Sequence, residues 1–131
     1  MLAVGRLRPP FVDDVQHYEK LLAGHSRVEV VEVREDAKLA RRIPERSYVV
    51  QLHSSGRQLS SEQLAEWLEQ RRQAGLDLCF VIGGPQGLDL ECCDMKLSFG
   101  PATLPHQLAR VVLLEQLFRA HKILAGEPYH Y

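Results

Sequence analysis

The stretch that most constrains this chain is Asp77-Leu-Cys-Phe-Val-Ile-Gly-Gly-Pro-Gln-Gly87. Leu78 to Ile82 is rich in strand formers and stops at two glycines, a proline and a third glycine, which reads as a buried strand running into a ligand-sized loop. Glycine supplies dihedrals and clearance that a side chain would forbid, and Pro85 stiffens the turn. A second strand-to-loop junction, Lys96-Leu-Ser-Phe-Gly-Pro-Ala-Thr-Leu-Pro-His106, repeats the arrangement and feeds a long apolar helix. Two such loops make one cleft. Taken alone, the Gly83 to Gly87 loop matches neither the GxGxxG fingerprint nor the phosphate-cradling GxxxxGK[ST], so a bare tight turn stays open as its reading.

The rest of the chain alternates strand and helix. Leu2 to Gly5 reads as a first strand, and Pro9 and Pro10 bar helix until Phe11. Phe11, Val12, Val15, Tyr18, Leu21 and Leu22 then recur at helical spacing to Ala23, with Asp13 and Asp14 in the first turn where they favour the helix dipole. Arg27 to Val33 reads as a less buried strand, and residues 34 to 46 as a short charged helix broken by Pro44. Ser47 to Leu52 is a third strand opening into a turn-rich loop, His53 to Ser60. Ser60, with Gln63 three residues on, then caps a helix that stops at Gly75. A short helical segment is expected from Leu88 to Met95, a strand from Lys96 to Phe99, and a last helix from Gln107 to Ala125. This order predicts an α/β fold with a mainly parallel sheet flanked by helices.

The length, 131 residues, suits one domain spanning 1–131, large enough to be stable without staples. With 16 basic against 17 acidic residues, bulk charge exerts no pull toward nucleic acid, so any RNA affinity must come from a local patch. Cys79, Cys92 and Cys93 are odd in number and lack zinc-ligand spacing, which predicts reduced thiols, no metal and a cytoplasmic location. No run approaches the roughly 20 apolar residues of a membrane span. The last helix is apolar around more than half its circumference, so it is either a central helix of the monomer or one whose surplus face packs on a second copy.

Four blocks in order, Val81-Ile-Gly-Gly-Pro-Gln-Gly-Leu88, Ala102-Thr-Leu-Pro-His-Gln-Leu-Ala-Arg-Val-Val112, Glu115-Gln-Leu-Phe-Arg-Ala120 and Pro128-Tyr-His130, carry a resemblance. The sequence resembles the bacterial RlmH-type methyltransferases of the SPOUT (trefoil-knot) superfamily, strongly from about Ser47 onward and loosely before it. The resemblance implies a C-terminal trefoil knot, a homodimer packed around it, S-adenosyl-L-methionine as cofactor, and methylation of N3 of a pseudouridine in 23S ribosomal RNA on the ribosome. Two other readings stand beside it: an inactive relative that still binds the ribosome or a nucleotide, and a nucleotide-binding α/β module unrelated to methyl transfer. Family members carry a longer segment where residues 34 to 46 stand, so residues are not transferred there.

By that resemblance, Leu52, Gly83 or Gly84, and Phe99, Gly100, Pro101, Ala102, Thr103 and Leu104 line the cofactor slot. Each residue type suits its place, since glycines admit the ligand, Leu52 and Leu104 supply apolar walls, and peptide groups of residues 99–104 can read adenine. The nucleophile is a weakly acidic N–H, so the site must take its proton or stabilise the anion. Candidates are His106, opening the last helix, and Tyr129 and His130 in the tail. His106 is expected to orient the site in preference to taking the proton, and Tyr129 either anchors the tail or stacks near the target base. Relatives continue past Pro-Tyr-His with a basic residue where this chain has Tyr131, so other arginines are expected to meet RNA phosphate, first among them Arg6, Arg8 and Arg57.

Overall fold

The computed structural model describes residues 1–4, 7–34, 36–83 and 93–129. Its strands are β1 (Leu2–Val4), β2 (Val31–Val33), β3 (Ser47–Gln58), β4 (Asp77–Ile82) and β5 (Met95–Ser98). Its helices are α1 (Phe11–Ala23), α2 (Asp36–Arg42), α3 (Ser61–Ala74) and α4 (His106–Leu124). The sheet runs β2-β1-β4-β3-β5, and each pairing among the described residues is parallel. This is the α/β arrangement the alternating sequence predicts.

Strand β4 explains the layering. Its side chains alternate between faces, so Phe80 and Ile82 join one apolar cluster while Cys79 and Val81 join another. The first and larger cluster takes Val15 and Leu22 from α1, Leu64, Trp67 and Leu68 from α3, and Leu113, Leu114, Leu117 and Phe118 from α4. The second gathers Val33, Val49 and Leu39 of α2 on the opposite face. A parallel sheet covered on both faces needs apolar residues on both sides of its central strand, which is why Leu78 to Ile82 is an unbroken apolar run. Helix α4 packs against both α1 and α3, so most of its apolar circumference is spent within the monomer. Ile123 and Leu124 at its end stay exposed.

Local chemistry sets several boundaries. Ser60 Oγ accepts from the Gln63 N–H at 3.1 Å and the Gln63 side chain accepts from the Ser60 N–H at 2.8 Å, a reciprocal cap that starts α3 at Ser61. The Gly75 N–H closes the helix on the Arg72 carbonyl. Strand β2 is shorter than the expected 27–33 because its neighbour β1 offers only Leu2 to Val4 for pairing.

Two expectations are corrected. The helical segment expected over 88–95 falls mostly outside the described residues, and its end is not helical: Met95 begins β5, and Asp94 bridges to β3 through Val49 N–H to Oδ2 at 2.7 Å. The turn-rich loop expected over 53–60 is instead a continuation of β3 to Gln58 with a bulge between Leu52 and Arg57, both of which pair with Leu97. The bulge exists because β5 presents a ladder that Arg57 and Gln58 can rejoin. Gly56 lets the two backbones close up, since a Cβ there would lie 2.5 Å from the Lys96 carbonyl carbon.

Candidate functional site

In a parallel sheet the strands end on one edge, and ligands of open α/β sheets lie outside those carboxyl ends. Adjacent strands β4, β3 and β5 end here around a cavity of about 520 Å³, within the range of small-molecule sites. Its floor is Ile82, Leu97 and Leu52. One wall is Gly83, another Phe99, Gly100 and the segment from Ala102 to Pro105, and the start of α4 closes the side with His106 and Ala109.

The structure thus brings together Leu52, Gly83, Phe99, Gly100, Ala102, Thr103, Leu104 and His106: the second bend and the first residue of the Gly83 to Gly87 bend, the remainder of which lies outside the described residues. Pro101 belongs to the same loop but is exposed and does not line the cavity. Gly84, Arg6 and His130 lie outside the described residues. His53, Ser54, Ser98 and Ala109 line or brace the cavity without having been singled out from the sequence.

Ser98 holds the loop in place. Its buried hydroxyl lies 3.1 Å from the Ser54 carbonyl and 2.9 Å from the Gly100 carbonyl, and it accepts from the Gly100 N–H at 3.0 Å. One side chain therefore ties the bulge of β3 to the loop after β5. Gly100 adopts φ +119°, a conformation open to glycine and strained for other residues, and this turns the chain back toward α4. On the bulge, His53 Nδ1 accepts from the Ser55 N–H at 3.1 Å, which places the ring proton of the neutral form on Nε2.

His106 opens α4 and its pKa is lowered, first by burial and then by the Arg110 guanidinium one turn on. A neutral imidazole at the cleft wall follows. Arg110 is fully buried and pairs with Glu32 of β2 at 3.2 Å. His121, near the other end of α4, is likewise lowered by burial and by His25, whose ring stacks on it at 5.4 Å. A histidine whose folded pKa lies below its unfolded value binds fewer protons folded than unfolded. Its contribution to stability is therefore complete above about 6.5 and declines as pH falls through the window beneath. The unfolding midpoint is expected to drop between about pH 7.5 and about pH 5.5, less so in His121→Gln. Thermal denaturation at the two values checks this, and a midpoint that stays level contradicts it.

Tyr129 lies elsewhere. Its ring meets Phe118 edge-on at 5.1 Å, the Arg119 guanidinium sits over it at 4.6 Å, and its hydroxyl hydrogen-bonds Tyr18 of α1. Phe118 is roughly 18 Å along α4 from His106, at about 1.5 Å per residue. Burial and the Tyr18 bond push the Tyr129 pKa up to about 12, so it remains a phenol at neutral pH. Arg8 and Arg57 do not line the cavity. The Arg8 N–H donates to Gln107 Oε1 at 2.9 Å beside His106, and Arg57 lies just past the bulge, near Met95 Sδ at 4.0 Å.

Among the described residues no group of histidines, cysteines and carboxylates could hold a metal, and no helix is long and apolar enough to cross a membrane. Burial raises the Cys79 thiol pKa, which suits an inert core residue.

Comparison with known proteins identifies the family of the chain. A family model described as "Predicted SPOUT methyltransferase" matches residues 1–130. A protein of Rubrobacter xylanophilus named ribosomal RNA large subunit methyltransferase H is 45% identical, with 100% of this chain and 96% of that protein covered. Proteins of the same name from Stenotrophomonas maltophilia and Carboxydothermus hydrogenoformans are 41% and 36% identical, each over 99% of this chain and over 96% and 97% of their own length. These alignments run over 150 to 154 positions, more than the 131 residues here, so the relatives carry residues that this chain lacks. With a full-length family match and a parallel α/β sheet whose carboxyl edge forms the cleft, the chain belongs to the SPOUT methyltransferase family and has its trefoil-knot fold.

Proposed function

We propose that this chain transfers a methyl group from S-adenosyl-L-methionine to N3 of a pseudouridine in 23S ribosomal RNA, with the assembled ribosome as substrate. The observation that carries the reading is the cavity at the ends of β3, β4 and β5, which gathers glycine, apolar walls and a neutral histidine in one place. The names of the relatives support ribosomal RNA as the substrate class.

The residues fit such a donor. Ile82, Leu97 and Leu104 make apolar walls for adenine, and peptide groups of residues 99–104 offer hydrogen bonds to its edge. The bound donor supplies a methyl on a positively charged sulfur. The residues of the protein would hold the pyrimidine N3 in line with that methyl and help the N3 proton leave. His106, neutral at the cleft wall, orients the base edge. The domain acts as a single unit and as a homodimer, and Tyr129, distant from the cleft of its own chain, meets a target base as part of a second copy.

The test is transfer of label from tritiated S-adenosyl-L-methionine to purified ribosomes, followed by mass-spectrometric mapping of the modified nucleotide. Label in a 23S pseudouridine is expected, and its absence contradicts the reading. Tyr129→Ala is expected to keep methyl-donor affinity within about twofold and to lose turnover by about 100-fold. Unchanged turnover in that variant removes Tyr129 from the reaction.

A further inference from the structure

Beside the cleft, the consecutive backbone amides of Leu7 and Arg8, which lie between β1 and α1, are held by side chains. The Leu7 N–H donates to Glu32 Oε2 at 3.0 Å, and the Arg8 N–H donates to Gln107 Oε1 at 2.9 Å. The same Glu32 oxygen accepts from Arg110 Nη1 at 3.2 Å, and Arg110 is wholly buried. Gln107 follows His106 directly and Arg110 lies one helical turn on, so Leu7 and Arg8 are pinned to the part of α4 that forms the cleft wall. The Arg8 carbonyl in turn accepts from the Phe11 N–H at 2.9 Å, which fixes the loop to the start of α1. While its backbone is tied on both sides, the Arg8 residue remains exposed.

A simple turn does not need this arrangement. Loop amides on a surface are ordinarily satisfied by water, and a buried cation is expensive to keep in a fold. Here the buried Arg110 holds a half-exposed carboxylate, which in turn holds the loop. We infer that Glu32, Gln107 and Arg110 are positioning residues that fix Arg8 at the cleft mouth to meet a phosphate of the RNA strand flanking the target nucleotide. The inference rests on the RNA methyltransferase reading above and adds to it the means by which a chain of net charge −1 presents a cation at the right place. A pinned backbone lowers the entropy lost when the guanidinium pairs with phosphate.

Kinetics with ribosomes or ribosomal RNA test it. Gln107→Leu removes the acceptor for the Arg8 amide and is expected to raise KM for the RNA about three- to tenfold. The methyl-donor Kd and kcat should stay level, and the slope of log affinity against log salt should become shallower by about 0.7 to 0.9. Arg8→Ala is expected to do the same. The double variant should then be no worse than the weaker single, because the anchor acts through the Arg8 side chain. Glu32→Gln keeps an oxygen for the Leu7 amide but removes the charge facing Arg110. It probes the anchor from the sheet side and carries the test if the helix variant does not fold. An unchanged KM in both anchor variants, or a double variant whose loss is the product of the singles, overturns the inference while leaving the methyltransferase reading intact. A wild-type chain that binds no methyl donor and labels no ribosomes removes that reading, and this inference with it.

Discussion

Gly56→Ala is expected to lower the unfolding midpoint by roughly 10 °C and to weaken methyl-donor binding at least tenfold. A methyl at this position would stand 2.5 Å from the Lys96 carbonyl carbon, 2.6 Å from its oxygen and 2.8 Å from the Leu97 nitrogen. Those are backbone atoms of β5, with no rotamer to swing aside. Relief requires β3 and β5 to separate where the bulge rejoins the ladder through Arg57 and Gln58. Forced overpacking of this kind costs about 1–3 kcal/mol, and in a domain of this size each kcal/mol moves the midpoint by about 3–5 °C. The binding loss follows from the same displacement, because Ser98 ends β5 and ties the Ser54 carbonyl to the Gly100 loop. Differential scanning calorimetry and isothermal titration of the same variant measure both effects. A stable variant with unaltered affinity would mean that the bulge has no part in shaping the cleft.

Ala109→Phe is expected to reduce methyl-donor affinity about 100-fold, near 2.7 kcal/mol, while leaving the midpoint within a few degrees. Ala109 is a half-buried position on α4 that faces the cavity one turn from His106, and an aromatic ring there occupies space the donor needs. The two variants separate causes. Gly56→Ala damages the cleft by moving its frame, and Ala109→Phe by filling it with the frame intact. The ligand-induced rise in midpoint expected of the wild type should vanish in the second variant without a matching fall in its baseline.

The sequence was legible where structure is decided by neighbours along the chain. The Ser60 and Gln63 cap, the start of α1 at Phe11 after two prolines, and the apolar run through β4 are local signals, and the structure carries all three. The bend after β5 and the end of β4 at Gly83 were legible as well, because glycine and proline after an apolar strand mark backbone geometry directly. The bulge was not. His53-Ser-Ser-Gly56 has turn composition, and whether such a stretch leaves the sheet or buckles and rejoins it depends on a strand about forty residues later. Gly56 itself was the one hint, since a glycine inside a strand marks close backbone approach.

Ser98 and Ala109 escaped notice for a related reason: a serine ending a strand and an alanine in a helix acquire meaning only when the third element beside them is known. The tail shows the same limit. Tyr129 is held by Phe118, Arg119 and Tyr18, two partners on α4 and one on α1, and nothing in the local Pro128-Tyr129 pattern specifies that berth. The Glu32 and Arg110 pair joins residues 78 apart in sequence, and without the sheet order neither stands out among the charged residues of the chain.

Everything proposed for this protein turns on where the methyl donor sits, and amide chemical-shift mapping with S-adenosyl-L-methionine measures that directly. Perturbations are predicted at residues 52–54, at Ile82 and Gly83, and from Leu97 through Ala109, and none around a second cavity of about 600 Å³ whose lining includes Arg27, Arg42 and Arg72. Shifts confined to that second cavity, or none at saturating donor, would contradict it.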